Sequence, residues 1–186
     1  SENSILLGSD IGLKYYSDNS LTAPVNLTYI ENISTNQLSH LVYYTDARND
    51  SWFEEEIKNQ DILKNYRSFQ FSGNSSNTIA ILFKPPGCLK ILDPIFSNSI
   101  TNPNLSFRQV KEISFSNIGL IETQSEHIPD ERLFPNKPSE GWCYYFEKAD
   151  LARQFKNYDE IEDLGEIVIE ENLSPRIASE WLPFLE

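Results

Sequence analysis

Two acidic residues stand where an α/β fold does its chemistry. Asp10 follows the apolar run "SILLGS" (4–9), and Asp46 closes "HLVYYTD" (40–46). Both runs read as strands, and in an open α/β sheet ligands gather beyond the carboxyl ends of the strands. Tyr15 and Tyr16 come shortly after Asp10. Asp10, Tyr15, Tyr16 and Asp46 are therefore the candidates to line one polar, aromatic cleft. Carboxylates beside tyrosine rings suit a sugar, through hydroxyl hydrogen bonds and stacking. The plainer role for Asp10 and Asp46, and the commoner one, is that of helix caps or turn residues.

Other signatures of catalysis are missing. The sequence holds no GxSxG, HExxH, P-loop, GxGxxG or Asp-x-Asp motif. His40 and His127 lie far apart in sequence, and His127 in "EHIPDE" reads as a surface loop residue. No metal or other cofactor is expected. Six Asn-x-Ser/Thr sequences begin at Asn26, Asn32, Asn49, Asn74, Asn104 and Asn172. In so asparagine-rich a chain they are expected by chance.

The two cysteines, Cys88 and Cys143, have no zinc-site spacing. Two buried thiols and one disulfide are both open, and the disulfide requires an oxidising compartment. Cys88 follows a Pro-Pro-Gly corner, and Cys143 falls in the first turn of a helix beside Trp142. A bond between them is the sharper expectation, with Cα atoms about 4.4–6.8 Å apart. It would fix the end of the chain to the domain before it.

The 186 residues are enough for one domain with a small appendix. An apolar fraction of 39%, with 12% aromatic, excludes disorder. The net charge of −13 argues against nucleic acid and anionic membrane surfaces as partners. Residues 141–186 carry 11 acidic and 4 basic side chains, so about half of the excess lies in the last quarter. A solvated acidic helix surface explains it most simply, and an acidic docking face is the sharper alternative. No apolar run reaches 18 residues, so no membrane insertion is expected. The chain has no methionine and no secretory leader, and is expected to be a fragment of a longer protein.

The elements that must position these residues read as follows. Residues 4–9, 25–31 and 40–46 are expected to be strands, the last a central one. Short helical pieces are expected in 10–20 and 34–40, and a capped helix over 50–66. "RSFQFSGNSSNTIAILFK" (67–84) reads as a hairpin turning at "GNSSN", and "PPGCLKILDP" (85–94) as a corner and a strand. Together they predict an α/β domain over 1–93, a small mainly parallel sheet with an antiparallel edge hairpin. Residues 94–140 read as an irregular connector, with a short helix within "FRQVKEISFSNIGLI" (107–121). Residues 141–186 read as a helical hairpin and the start of a further helix. Trp142, Tyr145, Phe146, Ala149, Leu151, Ala152 and Phe155 form one apolar stripe. Tyr158, Ile161, Leu164, Gly165 and Val168 or Ile169 form the other.

"ADLARQFKNYDEIEDLGEIVIEENLSP" (149–175) resembles a tetratricopeptide hairpin, with that repeat's small residue, turn tyrosine and closing proline. Only one repeat is present, and a single repeat must bury its face on something else. "LKYYSDNSLTAPVN", "HLVYYTDARNDSW", "GNSSNTIAILFKPPGCLKILDP" and "GWCYYFEKADLARQ" together resemble a soluble C-terminal region of large bacterial multi-spanning membrane proteins of the glycosyltransferase-C type. The resemblance implies a place, the extracytoplasmic face of a bacterial membrane. It also implies a partner, the transmembrane portion of the same parent chain. The function it implies is a non-catalytic accessory domain that helps to bind a glycan or protein acceptor. The alternative is a free-standing secreted or periplasmic hydrolase using Asp46 and His127.

Overall fold

In the computed structural model, residues 3–12, 17–29, 36–45, 58–97, 105–123, 132, 135 and 139–185 are described. Strand β1 (Ser4–Ser9) lies at the centre of a four-stranded sheet. It pairs in parallel with β3 (His40–Tyr44) on one side and with β6 (Thr78–Phe83) on the other. Strand β7 (Leu89–Leu92) pairs antiparallel with β6, giving the order β3-β1-β6-β7. A second sheet has the order β2-β5-β4, from β2 (Gln37–Leu38), β4 (Asp61–Tyr66) and β5 (Phe69–Asn74). The fold is the expected mixed α/β one: a parallel-rich sheet, an antiparallel edge pair and a C-terminal helical hairpin.

Alternation along the strands builds the core. Ile5 and Leu7 stand in register with Leu41 and Tyr43. These four pack with Ile62 and Phe71 of the second sheet and with Phe115. Phe115 ends helix α2 (Phe107–Phe115), which lies within the segment 94–140. Ile113 of the same helix joins Ala80 and Leu92. Just beyond α2, Ser116 bridges to β6: its Oγ accepts from the Ala80 N–H at 2.9 Å, and Asn117 N–H donates to Thr78 O at 2.8 Å.

Several local expectations are corrected. Residues 25–29, expected as strand, belong to helix α1 (Asp18–Tyr29) despite Pro24 inside it. The reason is tertiary. Strand β3 is an edge strand, not a central one, and its outer N–H groups need acceptors. Asp18 Oδ1 accepts from Tyr44 N at 3.0 Å, Thr22 Oγ1 from Val42 N at 3.0 Å and Asn26 Oδ1 from His40 N at 3.0 Å. Asn26 Nδ2 also donates to His40 O at 2.7 Å. Side chains four apart on a helix thus satisfy backbone groups two apart on a strand, and helical geometry wins over β propensity.

Residues 37–38 are strand rather than helix, and the proposed helix over 50–66 gives way to β4 from Asp61 onward. Its first part, 50–57, lies outside the described residues. The hairpin turn is also relocated. β5 pairs with β4 across the two-residue turn Arg67-Ser68, with Arg67 at φ 52°, and "GNSSN" instead carries the chain from one sheet to the other. The antiparallel edge hairpin is β6–β7.

Helix α3 (Trp142–Gln154) and α4 (Tyr158–Glu170) form the hairpin. Trp142, Tyr145, Phe146, Ala149, Leu164 and Val168 are its buried cluster, joined by Cys88 and flanked by Trp181 and Phe184. The last two belong to a 3-10 segment (Ala178–Phe184) that stands where a further α-helix was expected. The stripes are narrower than expected, since Phe155 and Tyr158 are 40% and 58% exposed. The face of α3 turned to β7 is polar instead. Gln154 Nε2 donates to Ile91 O at 2.8 Å, so the second edge of the sheet is also met by a helix side chain.

Candidate functional site

Strands β1 and β6 run in parallel with Ser9 opposite Leu82, so their carboxyl ends lie side by side. Asp10 follows the first strand and Lys84 the second, 3.6 Å apart from Oδ2 to Nζ. Asp10 turns the chain with φ 54°, a left-handed conformation that aspartate tolerates better than most residues. Gln109 comes from the first turn of α2. Its Oε1 accepts from Ser106 N at 2.8 Å, closing a capping box, while its Nε2 donates to Asp10 Oδ2 at 3.2 Å. One amide thus ties a helix N-terminus to the end of the central strand.

These three polar groups open onto a cleft of about 280 Å³. Leu82, Leu105, Ile177 and the Pro85-Pro86 rings form its apolar wall, and Lys90 and Glu180 also line it. Burial holds the Lys90 pKa below the ordinary lysine value, against the pull of the Asp150 and Glu180 carboxylates. Among the described residues that line it, the four charged groups Asp10, Lys84, Lys90 and Glu180 balance in formal charge. The cleft therefore offers hydrogen bonds without a strong field, over a floor that suits C–H faces.

Glu180 is the pivot of the site and is fully buried. Its Oε1 accepts from Cys88 N at 2.8 Å and its Oε2 from Trp142 Nε1 at 2.9 Å. A buried carboxylate is tolerated because both oxygens meet N–H donors. Gly87 makes this approach possible: a Cβ there would meet Ile177 Cδ1 at 2.8 Å and Glu180 Oε1 at 3.1 Å. The Cys88–Cys143 disulfide closes the same junction, with Cα atoms 5.2 Å apart and a sequence separation of 55 between the partners. The expected bond is present. It fits an oxidising compartment such as the periplasm or the cell exterior.

On the far side of the Pro85–Gly87 corner lies a second groove, of about 460 Å³, shared by β6, the start of α3 and the loop after α4. Within α3, Arg153 Nη2 donates to Asp150 Oδ1 at 2.8 Å, and both residues are buried. Burial pushes the Asp150 carboxyl above its ordinary pKa, and Arg153 opposes it.

Of the residues singled out in the sequence, Asp10 lies in the cleft, while Tyr15, Tyr16, Asp46 and His127 lie outside the described residues. Lys84, Gln109 and Glu180 were not singled out. Lys84 had a signal, since it ends a strand as Asp10 does. Glu180 had none, because "SEWLPF" reads as the start of a further helix and nothing in it marks the acid as buried. Among the described residues no helix is long and apolar enough to cross a membrane. No family model matches the chain, and no curated protein or solved structure is significantly similar to it.

Proposed function

We propose that this chain is a non-catalytic accessory domain of an extracytoplasmic, glycosyltransferase-like membrane protein, and that the cleft at the carboxyl ends of β1 and β6 receives part of a glycan acceptor. The observation that carries the reading is the Asp10–Lys84–Gln109 cluster facing an apolar wall across about 280 Å³. A carboxylate, an ammonium and an amide in one cluster can pair with neighbouring hydroxyls as donors and acceptors. The leucine and proline wall accepts the C–H face of a sugar ring. Charge balance in the cleft favours a neutral sugar over a phosphate. The disulfide supports the compartment, and the sequence phrases quoted above support the parent protein.

The test is a titration of isotope-labelled protein with chitotriose, followed by backbone amide resonances. Shifts are expected at Asp10, Leu82, Lys84 and Gln109, and Asp10→Ala should abolish them while leaving the melting temperature within a few degrees. Chitotriose should emerge uncleaved. No shifts at these residues, or cleavage of the sugar, overturns the reading.

A further inference from the structure

The groove beyond the Pro85–Gly87 corner differs in character from the cleft. Phe83, Trp142 and Tyr144 supply its aromatic surface, and Ser139 and Ser174 stand at its rim. Arg176 adds an exposed guanidinium. Among the described residues the one acidic side chain lining it is Glu180, whose oxygens are already taken by Cys88 N and Trp142 Nε1. Arg176 makes no ion pair among the described residues, in a chain whose net charge is −13. Lys148, with its ammonium 4.4 Å from the centre of the Tyr144 ring, adds a second cation beside the groove. A guanidinium lining one groove with aromatic rings and hydroxyls is a set of groups that can receive a carboxylate carried on a hydroxylated ring.

We infer that this groove is a second binding site, specific for an acidic saccharide of the hexuronate type. The carboxylate pairs with Arg176, the ring lies along Tyr144 with the largely buried Trp142 indole as the groove wall, and the ring hydroxyls meet Ser139 and Ser174. The volume of about 460 Å³ lies within the range of small-ligand sites and accommodates one or two sugar rings. An acidic peptide would share the carboxylate contact but would leave the serine-lined rim with less to bind. The inference stands apart from the cleft of Asp10, because no residue that makes the proposed contacts is shared between the two hollows.

Trigalacturonate is the probe, with chitotriose and triglutamate as comparisons. Trigalacturonate is expected to shift the Trp142 indole and Tyr144 resonances in the intact, disulfide-bonded chain. Arg176→Ala should weaken this binding about tenfold or more with the melting temperature unchanged, since the side chain is exposed. Arg176→Lys should recover only part of it, because an ammonium lacks the bidentate fork. Asp10→Ala should leave it intact, so that failure in the cleft and failure in the groove are read separately. Absence of trigalacturonate binding overturns the inference, as does binding indifferent to Arg176→Ala. Equal affinity for triglutamate also overturns it, and would make the groove a carboxylate clamp for peptides.

Discussion

Glu180 shows how much a single side chain can hold. Its two oxygens tie the disulfide corner, the first turn of α3 and the last segment of the chain into one junction. Glu180→Ala leaves the N–H groups of Cys88 and Trp142 buried without acceptors. It should lower unfolding free energy by about 3 kcal/mol, read from a urea midpoint with an unchanged slope. Glu180→Gln keeps one acceptor and should cost less. Asp150 gives a pH-dependent counterpart. Its folded-state pKa is raised by burial, so its contribution to stability is full below the ordinary carboxylate value and is lost as pH rises through the raised one. Wild type should therefore gain on Asp150→Asn as pH falls from 7 toward 4. An unchanged difference in thermal stability between the two proteins would show that burial does not govern this carboxyl. Glu180 was not legible in the sequence, because buried charge is recognised by its partners, and these lie 92 and 38 positions away.

At the scale of elements, legibility followed the source of each element's stability. Strands β1, β6 and β7 and helices α2, α3 and α4 carry their own apolar pattern or cap, and they emerge where the sequence places them. Helix α1 does not. Its polar face is buried against the edge of β3, with Thr22 and Asn26 2% and 3% exposed, so the usual rule that buried means apolar misleads there. Strand β4 was missed for a different reason: "DILKNY" alternates, but the acidic run before it resembles a helix start. The α1 arrangement is testable. Thr22→Val keeps shape and removes the acceptor of the Val42 N–H, and should cost about 1–3 kcal/mol. Replacing Thr22 and Asn26 together should also bare the strand edge. Concentration-dependent association, measured by light scattering, is the expected result, and a strictly monomeric double variant would show that the edge is protected by other means.

For the whole molecule, the disulfide joins the hairpin to the sheet across 55 residues of sequence. In the chain-entropy model closure of such a loop stabilises the fold by about 4 kcal/mol. Reduction should lower the melting temperature accordingly. Alkylation of the denatured, unreduced chain should add no mass, with two groups taken up after reduction. The pairing was legible because there were only two cysteines, one at a turn and one at a helix start. The cleft was half legible: strand order places Asp10 at the carboxyl end of the sheet, but which loops fold over it depends on contacts as distant as Ile177 and Glu180.

The α1–β3 clasp works as a vernier. Four helical residues advance about 6.0 Å, at 1.5 Å per residue. Two strand residues advance about 6.6 Å. Asp18, Thr22 and Asn26 meet Tyr44, Val42 and His40 before the two scales drift apart, with an accumulated lag of about 1.2 Å over two steps. A fourth rung would lag by about 1.8 Å, more than hydrogen-bond geometry absorbs without bending one partner. A straight helix can therefore close the edge of a strand of about five residues and no more, which is the length of β3. The clasp sets its own limit, so lengthening β3 would leave new edge uncovered whatever side chains were added to α1.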